Sequence, residues 1–189
     1  MKKPLLALAL LPFASVAPAA GLMPETQSAA PYFYFGAKAG LMDLDDQGNA
    51  DFDPAVNVGV YGGYNFFGAQ SRFGHDLGGG TFSAEGEFTL TLLDGDVNVG
   101  AASGDWDVLT LAAYGAYRIP VSQSAYLKGR AGLHWIDADT SPNTPGDDSD
   151  TGLSFGIGAG FDVGGGILEP ELTVMDSDLI FLSVGFLFK

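Results

Sequence analysis

The stretch from Tyr126 to Trp135, YLKGRAGLHW, decides the fold, because its alternate positions carry opposite chemistry. In an extended strand successive side chains point to opposite faces. One face therefore shows Leu127, Gly129, Ala131, Leu133 and Trp135, and the other Lys128, Arg130, Gly132 and His134. If the second face is enclosed, acids must lie opposite it, since buried charges persist only when paired and hydrogen-bonded. Two other stretches supply them. FSAEGEFTLTL sets Glu85 and Glu87 against Phe82, Ala84, Phe88, Leu90 and Leu92, and ILEPELTVM sets Glu169 and Glu171 against Leu168, Leu172 and Val174. Strands with an apolar outside and a charged, complementary inside describe a small closed barrel whose solvent is lipid.

The same parity runs through the rest of the chain. YFYFGAKAGLM (32 to 42) turns Phe33, Phe35, Ala37, Ala39 and Leu41 one way and Lys38 the other. AVNVGVYGGYNF (55 to 66), VLTLAAYGAY (108 to 117), LSFGIGAGFDV (153 to 163) and LIFLSVGFLFK (179 to 189) follow suit, the last with Leu182, Val184, Phe186 and Phe188 outward. With the three charged stretches this predicts an all-β, eight-stranded antiparallel transmembrane barrel, an up-and-down meander over 32–189. Inward glycines leave room for Tyr61, Lys128 and Arg130 in a bore that eight strands make only wide enough for side chains. Phe33, Phe66, Trp106, Tyr117, Trp135 and Phe188, near strand ends, are expected at the two water interfaces.

Residues 1–19 read as a signal peptide: Lys2 and Lys3, an apolar run from Leu5 to Val16, then Ala17-Pro18-Ala19. That run, about 12 residues long, falls short of the ~20 that a spanning helix needs. Residues 20–31 form a short lead. There is no cysteine, so neither disulfides nor thiolate chemistry is available. A membrane protein built without spanning helices must close its sheet, because lipid cannot satisfy an open strand edge.

The formal charge of -15 argues against nucleic acid as a partner. Sixteen of the 23 acids fall in four stretches, at 43–53, 94–107, 137–150 and 176–178. These are alternate connections of the expected barrel, so all emerge at one end as an acidic loop crown. Asp43, Asp45, Asp51, Asp147, Asp148 and Asp150 are candidate ligands for loosely held divalent cations. An EF-hand is not expected in DLDDQGNADFDP, because Pro54 stands where a bidentate Glu is required.

YFGAKAG (34 to 40), GVYGGY (59 to 64), FGIGAGF (155 to 161) and the aromatic close of the final strand resemble the eight-stranded outer-membrane barrels of the OmpA and OmpX type, particularly the OmpA transmembrane domain. The resemblance implies an interior network of acids and bases, here Lys38, Glu85, Glu87, Lys128, Arg130, Glu169 and Glu171, with Arg118 a further candidate. It also implies an assembly signal at Val184, Phe186 and Phe188, read by the outer-membrane assembly machinery, although the chain ends one residue later, on Lys189. The implied location is the outer membrane of a Gram-negative bacterium, with membrane lipid and lipopolysaccharide as surroundings and a monomeric state. No domain is expected beyond the barrel, so the peptidoglycan binding of full-length OmpA proteins is not carried over.

No cofactor and no enzymatic activity are expected. The paired glutamates have cations available to them, and His75 and His134 lack the serine spacing of membrane-embedded deacylases. The resulting reading is an ion-paired, largely plugged barrel acting in envelope structure, surface interaction or adhesion. Two alternatives stay open: a narrow, low-conductance porin, and a soluble, secreted, calycin-like carrier, which would place its apolar residues inside.

Overall fold

Alternating sequences pair into a closed ring. The structure, a computed structural model, describes residues 32–44, 50–67, 79–99, 102–141, 148–176 and 179–188. Its strands are β1 (Tyr32–Leu44), β2 (Ala50–Phe52), β3 (Ala55–Phe67), β4 (Thr81–Leu93), β5 (Gly95–Val99), β6 (Ala102–Pro120), β7 (Ala125–Ser141), β8 (Asp148–Asp162), β9 (Gly166–Met175) and β10 (Leu179–Phe188). Eight of them close an antiparallel barrel in the order β1-β3-β4-β6-β7-β8-β9-β10, with β10 returning to β1. The remaining two continue existing staves. β5 extends β4 beyond Asp94, β2 extends β3 beyond Asp53 and Pro54, and the two pair with each other.

The wall is inverted relative to a soluble protein. Phe33, Phe35, Val60, Leu111, Leu133, Phe155 and Ile157 are among the most exposed large apolar side chains, whereas Lys38, Glu85, Glu87, Lys128, Arg130, Glu169 and Glu171 are buried. A soluble carrier would show the opposite, so that alternative falls. Outward aromatic side chains gather at the end bearing the short turns. There Phe33 packs on Tyr64 and Tyr64 on Phe66, with ring centroids 4.6 Å and 4.9 Å apart, while Phe35 and Phe186 both contact Phe188.

Two expectations need correction. Many acids assigned to loops stand on strands: Asp96 lies in β5, Asp105 and Asp107 in β6, Asp137 and Asp139 in β7, and Asp148 and Asp150 in β8. Backbone pairing does not require apolar side chains, and the β6–β7 ladder continues out to Asp105–Ser141, well past the last outward apolar side chain of β7, Trp135. The second concerns Trp106, expected at a water interface. It is 2% exposed and points inward, donating its indole N–H to the Asp53 carbonyl at 2.9 Å and meeting Phe52 edge-on.

Trp106 belongs to the one buried apolar cluster among the described residues. Met42, Ala55, Val97, Val108, Met175, Leu179 and Phe181 complete it, with Leu44, Phe52, Ile136 and Ala138 packed against them. All come from strand ends that meet the acidic connections, so the cluster lies inside the barrel at that end. Below it lies a hydroxyl and amide layer. Thr89 and Thr110 share a hydrogen bond of 2.7 Å, and Thr91 donates to Asn57 at 3.2 Å.

Candidate functional site: the charged bore

The inward positions of five strands meet in the lower bore. β4 brings Glu85 and Glu87, β9 brings Glu169 and Glu171, β1 brings Lys38, β6 brings Arg118 and β7 brings Lys128 and Arg130. Spacing by two is what aims each pair inward. Four carboxylates thus face four cations, and the charge of the cluster sums to zero.

The contacts are short and shared. Lys38 Nζ lies 2.7 Å from Glu87 and 2.9 Å from Glu171. Arg130 reaches Glu87 at 2.5 Å and Glu171 at 2.8 Å, and its guanidinium lies 3.9 Å from the centre of the Tyr114 ring. Lys128 Nζ sits 3.1 Å from Glu85 and 3.0 Å from Glu171. Arg118 holds Glu85 at 2.6 Å. Glu169 is different, since its cations stand further off, Arg118 at 3.4 Å and Lys128 at 3.6 Å. Phenols make up the difference: Tyr61 donates to Glu169 at 2.8 Å and Tyr126 donates to its other oxygen.

The phenols were not legible as hydrogen-bonding members of this site. Tyr34 donates to Glu85 at 2.6 Å and, with Tyr126, flanks the Arg118 guanidinium at 4.7 Å and 5.6 Å, closing the short-turn end with a cation–π stack. Parity could have found them, because Tyr34, Tyr61, Tyr114 and Tyr126 each share the face of a charged inward residue on their own or the neighbouring strand. Gly160 has a specific use here: a Cβ at that position would overlap the Tyr126 ring.

His134 lies apart from this cluster. It is buried, with Nε2 3.4 Å from the Asp176 carboxylate. Asp176 holds a left-handed backbone (φ 53°), and its carboxylate occupies the space that a Cβ on Gly152 would need.

The candidate cation ligands that are described form no cluster among the described residues. Asp43, Asp51 and Asp150 are exposed on three different strands, Asp148 begins β8, and Asp45 and Asp147 lie outside the described residues. Among the described residues no group of three or more His, Cys, Asp or Glu side chains is arranged to hold a metal ion. Beyond the apolar belt Asp107 stands directly across from Asp139 in the β6–β7 ladder. Partial burial pushes its carboxyl above the ordinary range, and Asp139, Asp94 and Asp137 push it further. Folding therefore takes up a proton here, so the contribution to stability is present below the ordinary carboxylate range and is lost as pH rises through the raised pKa. Thermal unfolding in nanodiscs at low salt should show this slope, and Asp107→Asn should flatten it. An unchanged slope in the variant would reject the assignment.

Val184 and Phe188 point outward on β10, and Phe186 is half-buried beside Phe188. A family match accompanies this geometry, since the outer membrane protein beta-barrel domain covers residues 6–167. The chain belongs to that family. It is an outer-membrane β-barrel of the Gram-negative envelope, with its apolar wall in lipid. Solved structures with a similar fold include the attachment invasion locus protein Ail of Yersinia pestis, at 14% identity over 84% of this chain and 97% of that one, with a TM-score of 0.46. OprG from Pseudomonas aeruginosa matches at 12% identity over 85% and 97%, with a TM-score of 0.49. Neisserial surface protein A matches at 14% identity over 85% and 99%, with a TM-score of 0.47. No curated protein matches the sequence.

Proposed function

We propose that this outer-membrane barrel is a closed structural element rather than a conduit, and that its acidic end faces outward and acts in envelope structure, surface interaction or adhesion. The observation that supports the reading is a pair of layers stacked along the bore. Charge-neutral ion pairs fill the lower half, and above them Met42, Phe181 and Met175 are essentially inaccessible to solvent. An ion crossing this path would meet both a wall of paired charges and a dry apolar layer. Neither replaces its water of hydration, whose loss is costly.

In this reading residues 1–19 are removed on export and residues 20–31 lead into the barrel. Val184, Phe186 and Phe188 present the signal for the assembly machinery, and the monomer is surrounded by lipid and lipopolysaccharide. The acids beyond the belt keep the outer rim solvated and attract divalent cations weakly, an attraction screened over about 8 to 10 Å at ordinary ionic strength. No side chain is proposed to turn over a substrate, because the carboxylates and cations of the bore are engaged with one another.

Planar-bilayer recording tests the closure. The purified barrel should give no discrete conductance steps in potassium chloride. Steady ohmic steps would favour the narrow porin instead.

A further inference from the structure

One seam of the barrel is incomplete. The β8–β9 ladder pairs Gly158 with Glu171 and resumes at Phe161 with Leu168, leaving Ala159, Gly160, Glu169 and Pro170 without partners across it. The register on both sides of the gap sets Ala159 opposite Pro170. Proline has no N–H to give. On its other side Pro170 keeps its pairing with Val184 of β10, so the missing donor is one that β8 should have received. The Ala159 carbonyl is the group left waiting. The β3–β4 ladder shifts register near each end, but among the described residues no other ladder of the ring is broken in its interior.

Proline is normally confined to edge strands or bulges for this reason. In lipid the position is harder still, because hydrocarbon offers nothing to satisfy a free carbonyl. The site is also a notch. Ala159 and Pro170 are small and half-buried, while Ile157 and its cross-strand partner Leu172 above and Phe161 below stand out from the wall with 68%, 38% and 45% exposure. The lumen side is closed behind it by the Tyr126 ring lying on Gly160. The membrane face is therefore the side from which a donor would reach the carbonyl. Ala159 lies only three residues from the end of β8 at Asp162, within reach of the region where lipid hydroxyls meet the acyl chains.

We propose that the Ala159–Pro170 notch binds a hydroxyl-bearing lipid or other long-chain alcohol, whose O–H donates to the Ala159 carbonyl while its chain lies along the wall against the Ile157–Leu172 pair. The binding chemistry is one donated hydrogen bond in an apolar groove. It requires neither charge nor a headgroup of particular structure.

The test uses the full barrel in nanodiscs of dimyristoyl phosphatidylcholine, with Ala159 carrying a carbonyl carbon-13 label. Titrating dodecanol should move the Ala159 carbonyl resonance saturably, and the methyl ether of dodecanol, which fills the groove but cannot donate, should not. Pro170→Ala supplies the missing backbone donor from within the chain, so the resonance should already be shifted and should no longer respond. Ala159→Leu, read through a carbonyl carbon-13 label on the leucine at the same position, fills the notch and should abolish the response without touching Pro170. The proposal is overturned if the methyl ether works as well as the alcohol, if wild-type Ala159 is unresponsive, or if magnetisation transfer from water shows that a water molecule already holds the carbonyl.

Discussion

Replacing Arg130 by Ala should lower the stability of the barrel to urea unfolding in lipid by ~3 to 5 kcal/mol, the usual cost of leaving an enclosed charge without its partner. Arg130 touches Glu87 at 2.5 Å, Glu171 at 2.8 Å and the Thr173 hydroxyl at 2.8 Å. Its removal leaves four carboxylates facing three cations in a bore that is otherwise neutral. The partner to remove with it is Glu87, which retains Lys38 at 2.7 Å once Arg130 is gone. Glu87→Ala in the Arg130→Ala background restores neutrality and should recover part of the loss. A double-mutant cycle then gives the coupling directly. Small, additive losses would mean that these charges are hydrated, and the dry, paired interior would have to be abandoned.

The second large effect belongs to the opposite face of the same strand. Leu133→Arg, at a side chain 57% exposed on the lipid face, should destabilise the folded barrel by roughly 2 to 4 kcal/mol in bilayers, as a cation near the middle of a barrel wall does. Gln123→Arg, in the exposed turn between β6 and β7, should be nearly neutral. Equal effects at the two positions would show that the wall around Leu133 is not in hydrocarbon. Because Arg130 and Leu133 sit on one strand with opposite parity, the pair tests both faces of the alternation.

That alternation is why so much of the architecture could be read from residues. Period-two patterning fixes faces, and a charged inner face cannot slip by one residue without moving every charge into lipid. Lys38, Lys128, Arg130 and the four glutamates are therefore assigned to the bore by parity alone. What alternation does not fix is where a strand stops. The acid-rich ends of β6 and β7 read as loop because Asp disfavours strands, yet the ladder carries them outward as ribbons. Tyrosine is ambiguous in another way. It suits a membrane interface and an inner wall equally, and only a nearby carboxylate, visible in three dimensions, turns Tyr126 and Tyr61 into donors to Glu169. Residue type alone sends Trp106 to a water interface, although its parity with Val108 points inward. The break at Pro170 was visible as a proline within a strand pattern, but its meaning depends on which neighbour it fails, and that requires the register.

The charge-neutral bore also constrains how such a wall can enter a membrane. Strands β1 to β6 contribute Lys38, Arg118, Glu85 and Glu87, and strands β7 to β10 contribute Lys128, Arg130, Glu169 and Glu171, so each half of the chain is balanced in number. Some short contacts stay within a half, Lys38 with Glu87, Arg118 with Glu85 and Lys128 with Glu171, but others cross, Lys38 with Glu171 across 133 residues of sequence and Arg130 with Glu87 across 43. A half-barrel lying open in the bilayer would turn these side chains toward acyl chains with their cross-half partners not yet made. Hydrocarbon penalises that arrangement more heavily than water does. Partly inserted sheets are thereby discouraged as resting points, and the same residues that fill the finished barrel favour a chain that crosses into the membrane with its ring closed or shielded.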